Sequence, residues 1–181
     1  MLSIIVSKTN DLHNLPQDMD FFIIFDERFN KSLYLPPRTK ELKLNDNYNC
    51  SLTFPSGMTH LRLGGKYNHK LYLPDSLLYL NVGYSYRHQL DNLPLNLTHL
   101  VLPDRWIIPL NNLPSSLTNL EIGSYCSISL ENLPFGIESL TIGQNFSGNI
   151  DNLPASLQEI NYKGYLKIKK IPFGCQLKKI R

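Results

Sequence analysis

The stretch Asn111–Gly123, "NNLPSSLTNLEIG", decides the fold, because nearly the same sequence occurs twice more at intervals of twenty residues. It returns as "ENLPFGIESLTIG" at Glu131–Gly143 and as "DNLPASLQEIN" at Asp151–Asn161. A fixed period of this length is typical of repeat architectures, in which each copy is one structural unit. The same period should therefore be visible elsewhere in the chain.

The period extends along nearly the whole sequence. An apolar residue followed by proline recurs at steps of 20, 19, 19, 20, 20, 20, 20 and 18 residues, from Leu15-Pro16 to Ile171-Pro172. Counted from each proline, apolar residues mostly occupy positions +3, +6 and +8, glycine or a polar residue often +9, and an aromatic residue +12. The alternation around +6 and +8 indicates a short strand with one buried face.

A repeat of this length is too short to hold a strand and a full α-helical crossover. The proline at the head of each copy and the glycine at +9 supply turns. We therefore predict a mainly β fold: a right-handed solenoid with one short parallel strand per coil of 18–20 residues and little or no α-helix. The prediction is a single domain over residues 1–181 with about nine coils, including partial coils at 1–15 and 172–181.

Asparagine precedes the Leu-Pro pair in several copies, at Asn14, Asn92, Asn112, Asn132 and Asn152. A side-chain amide can satisfy backbone groups of a turn in one coil after another. We expect an amide ladder at this position. The alternative is that these residues are ordinary asparagines of surface turns.

The repeated motif also carries a family resemblance. "NLPSSLTNLEIG" and "NLPASLQEI" resemble short, proline-containing leucine-rich repeats, and "YNHKL", "FNKSL" and "FSGNI" add a resemblance to the FNIP repeat family of social amoebae and giant viruses of amoebae. Some copies depart from the pattern after the aromatic position, at the aromatic itself or at the glycine: Arg87, Ile107, Ser127 and Ser147, then Cys126, then Pro103.

The resemblance implies a leucine-rich-repeat-like solenoid that holds a protein partner. Family members often carry an amino-terminal F-box that recruits a ubiquitin ligase, so a partner related to ubiquitination is implied by family analogy alone. The repeat here starts within a few residues of Met1, and the F-box role is therefore not directly supported.

Composition indicates an ordinary soluble protein, since 42% of residues are hydrophobic and 18% are charged. No apolar run approaches the roughly 18 to 20 residues of a membrane span, and "MLSIIVSKTND" does not fit a signal peptide. We expect an intracellular protein, in the host cytoplasm if it is viral. Cys50, Cys126 and Cys175 are interpreted as reduced thiols, with Cys126 in a core position.

Motifs of enzyme chemistry are missing from the sequence: there is no phosphate-binding loop, HExxH motif, paired cysteine spacing or nucleophile elbow. The strongest constellation is His60, Tyr79 and His99, all at +5 in successive coils. Two coils separate the histidines by about 9 to 10 Å, which is wide for one metal ion. We predict no enzyme activity, no cofactor and no metal site.

The outward strand positions +5 and +7 are instead predicted to form a binding surface for a protein partner. Their residues vary where the inward positions are uniform, and Tyr and Arg are enriched in interface hot spots. Tyr84, at +10, would extend the surface at its edge. The predicted rows are His60, Tyr79, His99 and Asn119, and Arg62, Asn81, Val101 and Glu121. The alternative is that both rows are merely solvated.

The second functional hypothesis is a self-associating structural or assembly protein. "LSIIV" at the amino terminus predicts a strand with Leu2 and Ile4 in the inward +6 and +8 positions and no earlier coil to stack upon. Such an apolar edge favours homodimerisation, or coverage by another segment.

The carboxyl-terminal segment from Lys163 holds seven basic residues and no acidic one. It is interpreted as a charged cap that protects the last strand edge, with an anionic partner as the alternative. Only Tyr165 and Phe173 accompany these basic residues, so nucleic acid is a disfavoured partner.

Overall fold

The fold was described from a computed structural model that covers residues 1–181. Ten short strands follow one another about 19 residues apart, with one 3-10 helix, Thr9–Leu12, after the first. The strands are β1 (Leu2–Val6), β2 (Phe21–Phe25), β3 (Thr39–Lys43), β4 (His60–Arg62), β5 (Tyr79–Asn81), β6 (His99–Leu102), β7 (Asn119–Ile122), β8 (Ser139–Ile142), β9 (Glu159–Tyr162) and β10 (Gln176–Lys179).

The chain divides into two compact units, Met1–His88 and Gln89–Arg181. In the first unit, β1 to β5 pair in parallel in the order of the sequence. In the second unit, β6 to β10 do the same. The predicted parallel β-solenoid of about nine turns is therefore confirmed, whereas the prediction of a single domain stays a prediction.

Two turns per coil explain the positions of the proline and the aromatic residue. The proline carbonyl accepts a hydrogen bond from the N–H at +3, as in Leu77 to Pro74 at 3.1 Å and Leu117 to Pro114 at 3.1 Å. After the strand, the N–H at +12 donates to the carbonyl at +9, as in Tyr67 to Gly64 at 3.2 Å. Both bonds close four-residue turns, so the chain reverses direction on each side of the strand.

Gly64 and Gly83, at +9 of their coils, are required by the close approach of neighbouring coils. A Cβ added to Gly83 would collide with the carbonyl oxygen of Gly64, and one added to Gly64 would collide with that of Asn45. The coils stack too closely at this corner for a side chain that points along the stack. Glycine is used here for space, since its φ is not in the left-handed region.

The core consists of columns of like residues. Leu77, Leu80 and Val82, at +3, +6 and +8, are buried in the first unit, and Leu117, Leu120 and Ile122 are their equivalents in the second. The aromatic residues of the first unit, at +12 or, for Phe29, at +13, form a column of their own: the rings of Phe29, Tyr48 and Tyr67 stack at 6.2 and 6.4 Å and lie within 5° of parallel. Each coil thus completes the hydrophobic burial of its neighbour.

The inward register predicted for β1 is wrong. Ile4 pairs with Ile23 and Val6 with Phe25, so Ile4 and Val6 continue the +6 and +8 columns, and Leu2 is 39% exposed. Leu2 and Ile4 lie on the predicted face, but the columns run through Ile4 and Val6, two residues further along, because no proline precedes β1 to set the count. In the next coil the count from Pro16 is wrong by one residue, since the pairing of β2 with β3 shifts between Phe21 and Phe22: Ile23, at +7, is buried in the column.

The amide ladder is not at the predicted position. Asn14, Asn92, Asn112 and Asn152 adopt φ angles between 55° and 61°, in the left-handed region that asparagine tolerates better than most residues. These side chains and that of Asn132 are exposed. The prediction of a ladder before Leu-Pro is therefore wrong, and its alternative, an asparagine of a surface turn, describes these residues.

Candidate binding surface on the strand face

A ladder of asparagine side chains does exist, one position after the aromatic residue in the first unit. Oδ1 of Asn30 accepts the N–H of Asn49 at 3.0 Å, Oδ1 of Asn49 accepts that of Asn68 at 3.0 Å, and Oδ1 of Asn68 accepts that of Arg87 at 2.9 Å. The ladder ends where arginine replaces asparagine. The missed signal was the aromatic-Asn pair itself, which "FN" and "YN" display in successive coils.

The strand face of the first unit presents two outward rows. One row pairs Glu41 with His60 and His60 with Tyr79, and the other pairs Lys43 with Arg62 and Arg62 with Asn81. The residues between them, Leu42, Leu61 and Leu80, are buried. The structure therefore brings the predicted residues His60, Arg62, Tyr79 and Asn81 together on neighbouring strands, all exposed or half-buried.

Three of these side chains contact one another. The guanidinium carbon of Arg62 lies 5.2 Å from the centroid of the Tyr79 ring, and the imidazole of His60 stacks on the same ring at 5.7 Å. His60 Nδ1 also lies 2.9 Å from the Thr59 hydroxyl oxygen. Cation–π attraction and stacking hold these groups in a defined arrangement on a rigid sheet.

The strand face of the second unit is polar and partly acidic. His99 pairs with Asn119 and Val101 with Glu121, while Leu100 and Leu120 between them are buried. The His99 and Glu121 side chains are exposed. The outward orientation predicted for these four residues is thus found within this unit.

Tyr84 lies just beyond the strand rows, in the turn after β5, and its role in the binding surface stays a prediction. The Arg87 guanidinium carbon is 5.8 Å from the Tyr84 ring centroid, and Arg87 Nη1 donates to the Tyr84 carbonyl at 2.7 Å. Tyr84 is 48% exposed and is accompanied by a turn arginine.

Residues of β1 to β3 on the same face were missed. Glu41 and Lys43 occupy +5 and +7 after Pro36, so the same counting would have found them. Phe22, Ile24 and Ile5 also face outward, and Ile5 is 64% exposed. Counted from Pro16, Phe22 and Ile24 are at the inward positions +6 and +8, and only the register shift between β2 and β3 places them on the outward face.

The carboxylate of Glu159, in the second unit, is hydrogen-bonded by three side chains of the protein. It accepts hydrogen bonds from Lys178 Nζ, Ser139 Oγ and Asn161 Nδ2, each at 3.0 Å. The bond from Lys178, then those from Ser139 and Asn161, hold the pKa of Glu159 below its usual value. Together with the Lys169–Asp151 ion pair at 3.2 Å, this contact ties the basic carboxyl-terminal segment to the preceding coil.

Two buried titratable groups, Tyr67 and Cys126, lie at the aromatic position of their coils. Burial raises the pKa of Tyr67 to about 12 and raises that of the Cys126 thiol, whose side chain fills the aromatic position of its coil. All three cysteines are free, as predicted. No group of three or more His, Cys, Asp or Glu could hold a metal ion, and no helix could cross a membrane.

The stacked parallel strands define the class: a leucine-rich-repeat-like β-solenoid with short coils. The model of the family described as FNIP Repeat matches residues 29–66, so the chain carries an FNIP repeat in its first unit and the resemblance is confirmed. The match includes Asn30 and Asn49, two members of the asparagine ladder.

A solved structure is similar to most of the chain: "The crystal structure of CroV588 a novel circular LRR protein structure", with a TM-score of 0.79 and 28% sequence identity. The similarity covers 91% of this chain and 27% of that chain, so this chain spans about a quarter of that protein's length. No curated protein matches the chain.

Proposed function

We propose that the protein is a non-catalytic recognition module that binds a protein partner on its strand face. The observation that carries the proposal is the ordered group of His60, Arg62 and Tyr79, held outward on β4 and β5 above uniformly buried leucines. Binding surfaces use aromatic and arginine side chains on rigid supports because little conformational entropy is then lost on association. FNIP and leucine-rich-repeat-like solenoids are in general protein-interaction scaffolds, which agrees with this function.

Site-specific photo-crosslinking tests the location of the surface. A photoreactive residue at Asn81 or Glu121 reports on the strand face of each unit, and the same residue at the exposed turn positions Lys66 and Gln144 serves as the matched control. In extract of the source cells, we expect a discrete crosslinked protein from the strand positions and none from the turns. Equal crosslinking from the turns, or none from the strand positions, contradicts the proposal.

Self-association is a second candidate, favoured by the exposed apolar residues of β1. Leu2 is 39% and Ile5 is 64% exposed, and β1 pairs with β2 on one side. An apolar strand edge of this kind can pair with a second copy. Light scattering over a range of concentrations should then show dimers that Ile5→Lys removes; monomers at every concentration exclude this function.

An intracellular location is part of the same proposal. Three free cysteines are compatible with a reducing compartment, where disulfides are rare. Recruitment to a ubiquitin ligase rests on family analogy only, and identification of the crosslinked partner by mass spectrometry would test it directly.

A further inference from the structure

The strand face of the first unit changes chemistry along the order of its strands. On β1 and β2 the outward residues are apolar: Ile5 is exposed, and Phe22 and Ile24 are half-buried. On β3 and β4 the same row continues with Lys43 and Arg62. An apolar strip therefore lies directly beside two cations on neighbouring strands, about 4.8 Å apart.

Neither cation is neutralised within the protein. The ion pairs of the protein are Arg38–Asp20, Lys169–Asp151 and Lys178–Glu159, so Lys43 and Arg62 are in none of them. Both side chains are exposed. The Arg62 guanidinium lies over the Tyr79 ring, a position that leaves its N–H donors available at the edge of the plane.

The nearby carboxylates of the adjoining turns are engaged elsewhere. Asp26 Oδ1 accepts the N–H of Arg28 at 3.1 Å, and Asp46 Oδ1 accepts that of Gly65 at 3.1 Å. Glu41 shares the strand face but forms no ion pair with Lys43 or Arg62. The local surface thus has two cations available to an external carboxylate.

We propose that this surface, formed by Ile24, Lys43, Arg62 and Tyr79, binds an extended acidic protein segment with an apolar anchor. The inference rests on the proposed function and deepens it by naming the chemistry of the partner. Carboxylates of the segment pair with Lys43 and Arg62, the latter in the bidentate geometry that a guanidinium favours. Its apolar residue packs on Ile24 and the neighbouring Phe22.

Spacing defines the segment further. In an extended chain, alternate residues lie on the same side, about 6.6 Å apart. Two acidic residues and one apolar residue at alternate positions span about 13 Å, against about 10 Å for the row of Ile24, Lys43 and Arg62, and the long Lys43 and Arg62 side chains cover the difference. The sequence pattern is apolar-x-acidic-x-acidic.

Charge and polarity favour a protein segment over nucleic acid. Two cations beside an apolar strip and Glu41 offer few phosphate contacts, whereas nucleic-acid affinity depends on many. A planar guanidinium stacked on an aromatic ring can bind a carboxylate, and the apolar strip can bind an apolar side chain of the segment. Single-stranded RNA is consequently a competing probe in the test.

The test uses the full chain and a fluorescent peptide, SGLSESEGS, with fluorescence anisotropy as the readout. At an ionic strength of about 0.01 M, where the Debye length is about 30 Å, we expect saturable binding that is lost at about 1 M salt. Replacing both glutamates by glutamine in the peptide should weaken binding at least about fivefold, as loss of exposed charge pairs predicts.

Variants assign the binding to this surface. Arg62→Ala and Lys43→Ala should each weaken binding about fivefold, whereas Lys66→Ala, which removes an exposed turn cation of the same unit, should not. Arg62→Lys should weaken binding as well, because the ammonium lacks the planar fork. Circular dichroism of each variant establishes that the fold is intact.

Three outcomes would overturn the inference: no saturable binding at low salt, equal losses from Lys66→Ala and Arg62→Ala, or tighter Arg62-dependent binding of a single-stranded RNA probe. Its failure is distinguishable from failure of the proposed function. If a partner crosslinks at Asn81 and its capture is insensitive to Arg62→Ala, the strand face remains the binding surface. The inference that the partner binds through an acidic segment is then contradicted.

Discussion

The backbone N–H of Asn68 donates to Oδ1 of Asn49, the equivalent asparagine one coil earlier, at 3.0 Å. The bond is one step of the ladder that joins the first-unit coils at the position after the aromatic residue. It explains why the "YN" pair recurs: the aromatic residue fills the core, and the amide beside it links the backbone of the next coil. Both residues of the motif thus serve coil stacking.

Replacing Asn49 by alanine should therefore destabilise the protein by about 1 kcal/mol, since one hydrogen bond is lost at an exposed site. Asn49→Asp retains the acceptor and should be nearly neutral. Ser127→Ala is the matched control, because Ser127 occupies the same position in a coil without the ladder. Urea unfolding measures all three, and equal effects of Asn49→Ala and Ser127→Ala would remove the ladder as a source of stability.

Gly83 should not tolerate a side chain. Its Cβ would collide with the Gly64 carbonyl oxygen, so Gly83→Ala must push two coils apart, and we expect a loss of about 1 to 3 kcal/mol. In Gly65→Ala the new Cβ would meet the Asp46 side chain at the ordinary contact distance of 3.5 Å, so this variant should unfold close to the wild-type midpoint. Similar midpoints for both variants would show that the coils are not in close contact at +9.

Leu120 belongs to the +6 column of the second unit and is 2% exposed. Leu120→Ala should cost about 2 to 5 kcal/mol through lost burial and a residual cavity. The neighbouring outward residue supplies the control, since Glu121→Ala removes an exposed side chain and should change stability by less than about 0.5 kcal/mol. A thermal melt of Leu120→Ala that coincides with the wild type would contradict an inward +6 position.

Alkaline pH should destabilise the first unit through its buried tyrosines. Burial raises the pKa of Tyr67 from 10.0 to about 12, so folding favours the protonated phenol. This contribution to the free energy of unfolding is complete below pH 10 and is lost as the pH rises through about 12. Burial also raises the pKa of Tyr48, which should add to the effect.

Tyr67→Phe retains the stacked ring and removes the ionisable group, so its alkaline unfolding midpoint, followed by circular dichroism, should move to higher pH. Tyr72→Phe is the control, because Tyr72 is 77% exposed and its ionisation should not depend on folding. Equal shifts from the two variants would indicate that Tyr67 ionises as freely in the folded protein as in the unfolded one.

Part of the candidate surface could be predicted from the sequence, because outward positions alternate with the repeated leucines. The rows through His60 and Arg62 follow from that alternation alone. Counting positions from the proline could not show that the Arg62 guanidinium lies over the ring of Tyr79, its diagonal neighbour on the adjacent strand. It also could not detect the one-residue shift in the first coil, which places Ile24 on the same face as Lys43.

The sequence by itself determined the period, the parallel solenoid and the inward columns, because a coil of about 19 residues can bury its leucines only against copies of itself. Tertiary structure decided which asparagine bridges the coils. The asparagine before Leu-Pro and the one after the aromatic recur with the same period, and periodicity cannot distinguish them. Only the stacked backbone does so: it turns the first to a left-handed φ at the surface and brings the amide of the second to the next coil's N–H.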